Sequence, residues 1–174
     1  MKNLILSLLV FLLGQPLFAK IAPSFTGDLL KGGRTSLSKH LKEAKGGNKM
    51  VLLSFWASWC TPCMQELKEI TAKMKEDKNL PLQVLTVNVD TSETASDVKP
   101  TMKLYQFDLP VVLDPKHDIF GKYQAAKSLP FSVLIDASGE IRETFAGYNE
   151  EMFSKITKHT SQLKGSAGAT TTLN

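Results

Sequence analysis

Seven residues, Met50–Trp56 (MVLLSFW), carry no charge and no period-two alternation, and just beyond Cys60-Thr61-Pro62-Cys63 the apolar positions begin to recur at spacings of three and four. An unbroken apolar run of that length predicts a strand covered on both faces, as in the middle of a parallel sheet. Past Cys63, the residues Met64, Leu67, Ile70, Thr71 and Met74 form one stripe with Lys68, Lys73 and Lys75 between them, which predicts a helix with one buried face. Asn79 and Pro81 stop that helix, and residues 82–89 (LQVLTVNV) have the apolar density of a second interior strand. Together the three segments read as a βαβ unit.

The flanking pattern extends this centre. Residues 25–28 and 34–36 bracket Leu-Lys-Gly-Gly as a hairpin, residues 37–44 suit a short helix, and Gly46, Gly47 and Asn48 break the chain before the central strand. After the βαβ unit come a helix at 98–105 with Pro100 in its first turn, a short strand at 111–113, a turn at Asp114-Pro115 and a short helix at 119–124. Strands at 131–136 and 141–145 form a second hairpin. In the last helix, Asn149 is the N-cap and Met152, Phe153, Ile156, Thr160 and Leu163 line one face. Residues 165–174 lack apolar periodicity and are expected to be a disordered tail. The expected fold is therefore one α/β domain over residues 20–164, with no internal repeat.

Composition adds a compartment and removes some partners. At 174 residues and 43% hydrophobic content the chain can build its core without disulfide staples. Its first nineteen residues stand apart: Lys2, an apolar run over 4–13, then Gly14, Pro16 and Ala19 have the layout of a secretory signal cleaved after Ala19. An uncleaved anchor is the alternative, although the run falls short of the roughly 20 residues that span a bilayer as a helix. No cysteine stands there for lipid attachment. The net charge of +4 is mild, and its lysines alternate with glutamates without an aromatic platform. Those lysines read as solvated helix faces, so no nucleic-acid partner is expected, and membrane contact would come only through the anchor.

Cys60 and Cys63 are the only cysteines. Placed across the first turn of a helix, the first would meet unpaired amide donors and the positive end of the helix dipole, which favour its thiolate, while the second is carried inward. Cys60 then attacks a disulfide and Cys63 resolves the mixed product; Pro62 suits the first turn, where its missing N–H costs nothing. A structural disulfide is the competing use, but closing so short a loop stabilises by only about 2 kcal/mol. A metal site is another, yet His40, His117 and His159 stand at no ligand spacing and read as surface residues. Cu(I), which accepts soft thiolates, keeps a copper-handling role open. Pro130, after Leu129 and before a strand, permits a cis peptide or an ordinary trans proline on an edge strand. Taken alone, Glu66 reads as a solvated helix residue or as a carboxylate one turn from Cys63 that opposes a thiolate there.

FWASWCTPCMQE, the run ending in VNVD, the VVLDP segment at 111–115, LPFSVLID and Phe-Ala-Gly at 145–147 together resemble the TlpA/ResA/CcmG-type thioredoxin-like thiol-disulfide oxidoreductases. The resemblance implies a thioredoxin-like fold, a central mixed β-sheet flanked by helices, with an N-terminal β-hairpin and a central insertion at about 90–124. It implies a cis peptide before Pro130 facing the cysteines, with Leu129, Pro130 and Phe131 contacting substrate. Supporting roles fall to Trp59 beside Cys60, to Thr61 and Pro62 between the cysteines, and to Glu66 as the acid that tunes them; Trp56 is expected in the core. Two positions depart from the pattern. Ser54 stands where thioredoxin proper has a buried Asp, which leaves the proton to Glu66 or water, and Phe131-Ser132 follow the proline where Thr is frequent, which suggests a more apolar groove.

The expected activity is reduction of disulfides in client proteins, with no cofactor beyond the Cys60–Cys63 pair. Thr61-Pro62 brings no cation to hold a thiolate, which places the couple toward the reducing end. In an oxidising compartment outside the cytoplasm, periplasmic or anchored to the inner membrane, that requires a membrane thiol-electron donor of the DsbD/CcdA type. The resemblance also suggests apocytochrome c thiols among the clients. A dithiol oxidase or isomerase and a copper-binding thioredoxin-like chaperone are the alternatives.

Overall fold

The computed structural model describes residues 20–124 and 128–168. The expected signal segment, 1–19, lies outside the described residues. Seven strands form one mixed sheet in the order β2-β1-β5-β4-β3-β6-β7. They are β1 (Thr26–Leu29), β2 (Arg34–Ser36), β3 (Met50–Trp56), β4 (Leu82–Asn88), β5 (Val111–Leu113), β6 (Phe131–Ile135) and β7 (Ile141–Ala146). The helices are α1 (Leu37–Gly46), α2 (Thr61–Glu76), α3 (Val98–Leu104), α4 (Phe120–Tyr123) and α5 (Met152–Gly168).

All seven residues of β3 are buried, as its unalternating run predicts. It pairs parallel with β4 and antiparallel with β6, so its backbone donors and acceptors are matched on both sides. The strand β5 extends the parallel portion, with α3 in the connection. The N-terminal hairpin turns on Gly32 and Gly33, whose φ values of 94° and 82° lie in the left-handed region that favours glycine. It joins the sheet through β1 and β5, so the strand contributed by the central insertion is what connects the hairpin to the core.

On one side of the sheet Phe55 stacks on Phe120 at 4.8 Å between ring centroids and contacts Tyr123 at 5.3 Å and Phe131 at 6.0 Å. The Asp114 carboxylate holds α4 in place by accepting the backbone N–H groups of Ile119 and Phe120 at 2.8–3.1 Å. The Asp-Pro pair thus does more than turn the chain: its buried aspartate fixes the aromatic cluster.

Two expectations change. The last helix continues to Gly168 although its apolar face ends near Leu163, because residues 165–168 include no proline and each added residue closes another backbone bond; residues 169–174 lie outside the described residues. His40, expected at the surface, is buried. Its ring nitrogens bond to Thr35 Oγ1 at 2.9 Å and Gln83 Nε2 at 2.6 Å, which bridges α1 to β2 and β4, and burial holds its pKa below the usual histidine value. His117 reaches the Val89 carbonyl at 2.8 Å, and His159 lies 3.6 Å from Glu143.

Gly27 in β1 is required by close approach. A Cβ there would overlap the Val112 side chain and meet Ile119 Cδ1 at 3.3 Å. Gly27→Val is expected to destabilise the fold by about 1–3 kcal/mol through overpacking, read as a lower urea midpoint with an unchanged slope. An unchanged midpoint would show that β1 does not pack against β5 in this register.

Candidate active site

The strand β3 ends at Trp56, and residues 57–60 lead directly into α2. Cys60 is the N-cap of that helix: its sulfur accepts the Cys63 N–H at 3.3 Å, and its carbonyl accepts from Met64 at 3.2 Å. The two cysteines are joined as a disulfide with Cα atoms 5.2 Å apart, so the chain is in its oxidised form. Cys60 is 5% exposed and Cys63 is 1% exposed, which makes Cys60 the sulfur nearer to solvent. Thr61 and Pro62 are exposed in the first turn, and Trp59 projects outward at 63% exposure, whereas Trp56 is fully buried. When reduced, a Cys60 thiolate at this position faces the amide donors and positive end of α2.

The chain enters this turn along a tether that its sequence pattern did not reveal. Asp90, 2% exposed and just past the end of β4, accepts the Ser58 hydroxyl at 2.6 Å, the Ser58 N–H at 2.7 Å and the Asn88 side-chain amide at 2.6 Å. Two of the three bonds fix the chain two residues before Cys60. In the sequence Asp90 is marked only as the acid that follows the run at 82–89.

Glu66 belongs to the buried face of α2, among Cys63, Met64, Leu67 and Ile70. It is 1% exposed. Its Oε1 accepts the hydroxyls of Ser54 at 2.9 Å and Ser132 at 2.6 Å, two serines that face each other across β3 and β6. The other oxygen, Oε2, is buried with no protein partner. Burial pushes the Glu66 pKa up, against a smaller lowering by the two serine hydroxyls. Ser54 and Ser132, the two departures noted in the sequence, are thus one arrangement: the strands supply donors, and the carboxyl comes from the helix. Pairing across the sheet is what reveals the role of Ser132, and a linear pattern does not contain it.

The Leu129–Pro130 peptide is cis, and Pro130 is buried. Because Phe131 pairs with Phe55 near the end of β3, Pro130 stands at the same end of the sheet as residues 57–60. Leu129 is partly exposed there. Phe131, expected to contact substrate, is 6% exposed and packs on Phe55 and Phe120. Alternation explains this, since Phe131 and Ser132 point to opposite faces of β6 and only Ser132 reaches the α2 side. No group of three or more His, Cys, Asp or Glu residues capable of holding a metal occurs among the described residues.

Residues 18–159 match the AhpC/TSA family. The thiol-disulfide oxidoreductase ResA of Bacillus cereus is 34% identical over 128 residues, which cover 74% of this chain and 69% of that protein. The crystal structure of StoA from Bacillus subtilis superposes with a TM-score of 0.62 at 25% identity, covering 79% of this chain and 98% of StoA. A thiol:disulfide interchange protein of the thioredoxin family from Chlorobium tepidum TLS shares the fold, with a TM-score of 0.67 at 24% identity over 84% of this chain and 99% of that one.

The raised pKa of Glu66 has a definite linkage sign. A carboxyl that binds its proton more tightly when folded contributes stability below its unfolded pKa near 4.5, and that contribution is lost as pH rises through the higher folded value. The stability of Glu66→Gln relative to the native chain should therefore increase as pH rises above about 4.5. Urea unfolding at a series of pH values checks this, and a flat difference would mean that Glu66 ionises freely. The same variant is expected to lower the Cys63 thiol titration, followed by ultraviolet thiolate absorbance, because a neighbouring negative charge has been removed.

Proposed function

Because the chain belongs to the AhpC/TSA family and is a thiol-disulfide oxidoreductase of the ResA type with a thioredoxin-like fold, we propose that it acts outside the cytoplasm as a reductase of client-protein disulfides. The observation that carries this reading is the Cys60–Cys63 pair at the start of α2, with the buried Glu66 carboxyl one helical turn beyond Cys63. In the reduced state the Cys60 thiolate attacks one sulfur of a client disulfide. A mixed disulfide forms, and the first client thiolate leaves. Cys63 gives its proton to Glu66 and attacks the Cys60 sulfur, which releases the second client thiolate and restores the Cys60–Cys63 disulfide. Two electrons pass to the client, and the dithiol carries both without a further cofactor.

The roles follow from position. The α2 N-terminus favours the Cys60 thiolate, and the unpartnered Oε2 of Glu66 is the free acceptor for the Cys63 proton. Leu129, which precedes cis-Pro130 at the same end of the sheet, offers backbone to the client, and exposed Trp59 gives the contact surface an apolar face. The N-terminal run over 4–13 with Ala19 beyond it supports export, after cleavage or with an anchor in the inner membrane. In an oxidising compartment the pair is then recharged by two electrons from a membrane thiol donor of the DsbD/CcdA type, and apocytochrome c thiols are the client class that this placement suits.

The reductase differs from an oxidase or isomerase in potential. Equilibration with glutathione is expected to place the Cys60–Cys63 couple well below about −150 mV, and a higher value would overturn the direction. Cys60→Ser should abolish reduction of protein disulfides, whereas Cys63→Ser should retain attack and accumulate a mixed disulfide visible on a non-reducing gel. Disulfide reduction that survives Cys60→Ser would remove the mechanism altogether.

A further inference from the structure

The helix α3 stands between two cavities and turns a different face to each. Pro100, Thr101 and Leu104 line a cleft shared with Ser58 and Trp59 of the active-site turn, whereas Lys99, Met102 and Lys103 line a second cavity on the side of the N-terminal hairpin. Spacings of three and four within each set place them on separate faces of the helix. The second cavity has a volume of about 710 Å³, which lies within the range of small-molecule sites. Its walls are held by backbone. The Leu30 N–H donates to the Val111 carbonyl at 2.9 Å, and Lys31 meets Asp108 at 2.8 Å, so the hairpin turn is tied to the segment that follows α3. At the end of α3 the Gln106 and Phe107 N–H groups donate to the Lys103 and Met102 carbonyls at 3.2 and 3.0 Å, a helix end that folds Phe107 back toward Met102. Gln106 makes this turn at a φ of 55°. Glycine would take that conformation freely; glutamine adopts it at a cost and places an amide side chain on the cavity wall.

The lining divides by polarity. Leu29, Leu30, Met102, Phe107 and Val111 supply an apolar floor, and the first three of these are only partly buried. Around it stand Lys31, Lys99 and Lys103, all exposed, against the single carboxylate of Asp108. That carboxylate is taken by Lys31, and α3 itself contains no acid. The ammonium groups of Lys99 and Lys103 therefore have no ion-pair or hydrogen-bond partner among the described residues. Two like charges one helical turn apart repel each other, and an anion between them removes that cost. We propose that this cavity binds one free long-chain carboxylate, with its aliphatic chain over Leu29, Leu30 and Met102 and its head group between Lys99 and Lys103. An apolar floor beside unpaired cations is complementary to that amphiphile and to neither a neutral oil nor a cationic detergent. A cavity of this size takes one small molecule, whereas a protein partner needs a far broader contact. The site is separate from the dithiol, because α3 presents its other face to the active-site turn.

The test uses the full chain, isotope-labelled at its methionine methyl groups and titrated at neutral pH with dodecanoate below its micelle concentration, by calorimetry and by methyl NMR. Met102→Leu assigns the Met102 signal. One dodecanoate should bind per chain and shift the Met102 methyl while leaving that of Met64, which packs beside Cys63, unmoved. Hexanoate, with less chain to bury, is expected to bind more weakly by at least about tenfold. Dodecyltrimethylammonium, with the chain kept and the charge reversed, should also bind at least about tenfold more weakly, and the double variant Lys99→Glu, Lys103→Glu should remove that preference. Both lysines are exposed, so the double variant keeps the fold. No binding of dodecanoate, equal affinity for the two head groups, or a shift at Met64 without one at Met102 would overturn the site. Flotation with phosphatidylglycerol vesicles by a chain that does not bind free dodecanoate would assign the cavity to a membrane surface and overturn the free-ligand assignment. Sedimentation as a dimer, with the Met102 methyl shifting as the protein alone is concentrated, would assign it to a second copy of the chain and overturn it likewise.

Discussion

A strand with no face toward water, β3, sets the terms for everything around it. Its seven residues are buried, and it is hydrogen-bonded to β4 on one side and β6 on the other, so pairing with two neighbours fixes its register. Because the strand cannot shift, the turn at residues 57–60 leaves the sheet at one place, and α2 must begin where Cys60 caps it. The reactive sulfur is therefore positioned by the core of the molecule rather than by a loop. Mobility at that point would weaken both the dipole's hold on the thiolate and the reach of Cys63 to resolve it.

Such a core makes a charged group beneath the site costly, and the chain manages that cost in two different ways. Asp90 is surrounded by neutral donors that use both of its oxygens, which suits an acceptor that only positions the turn. Glu66 has donors on one oxygen and none on the other. Half-satisfied and buried, it binds a proton more readily than an exposed carboxylate does, which suits a group that takes one up beside Cys63. Both carboxyls are buried, but hydrogen-bond accounting separates them: Asp90 positions the turn with both oxygens in use, and Glu66 keeps one oxygen unpartnered.

The central insertion has an architectural task as well as a surface one. β5 joins β4 to the N-terminal hairpin, and α4 packs Phe120 onto Phe55 under the control of Asp114. Its helix α3, anchored by Val98, leaves Leu104 in solvent close to Trp59. One segment thus completes the rear of the sheet and sets α3 beside the active-site turn.

Hydrophobic periodicity determined the elements by itself, because burial of β3 on both faces and of α2 on one face leaves a direct trace in residue order. The Cys-Thr-Pro-Cys spacing likewise determined its chemistry, since two thiols across one helical turn lie within reach of each other in any fold that forms that turn. Pairing between distant strands leaves no such trace. Only the tertiary structure brought Ser54 and Ser132 together over Glu66, and turned two apparent departures into the donors of one carboxyl. It alone sent Phe131 into the aromatic core, buried His40 between Thr35 and Gln83, and tied Ser58 to Asp90. The physical reason is common to all of these: local sequence records how each residue divides between water and core, whereas which polar groups meet inside is decided when the sheet sets its register.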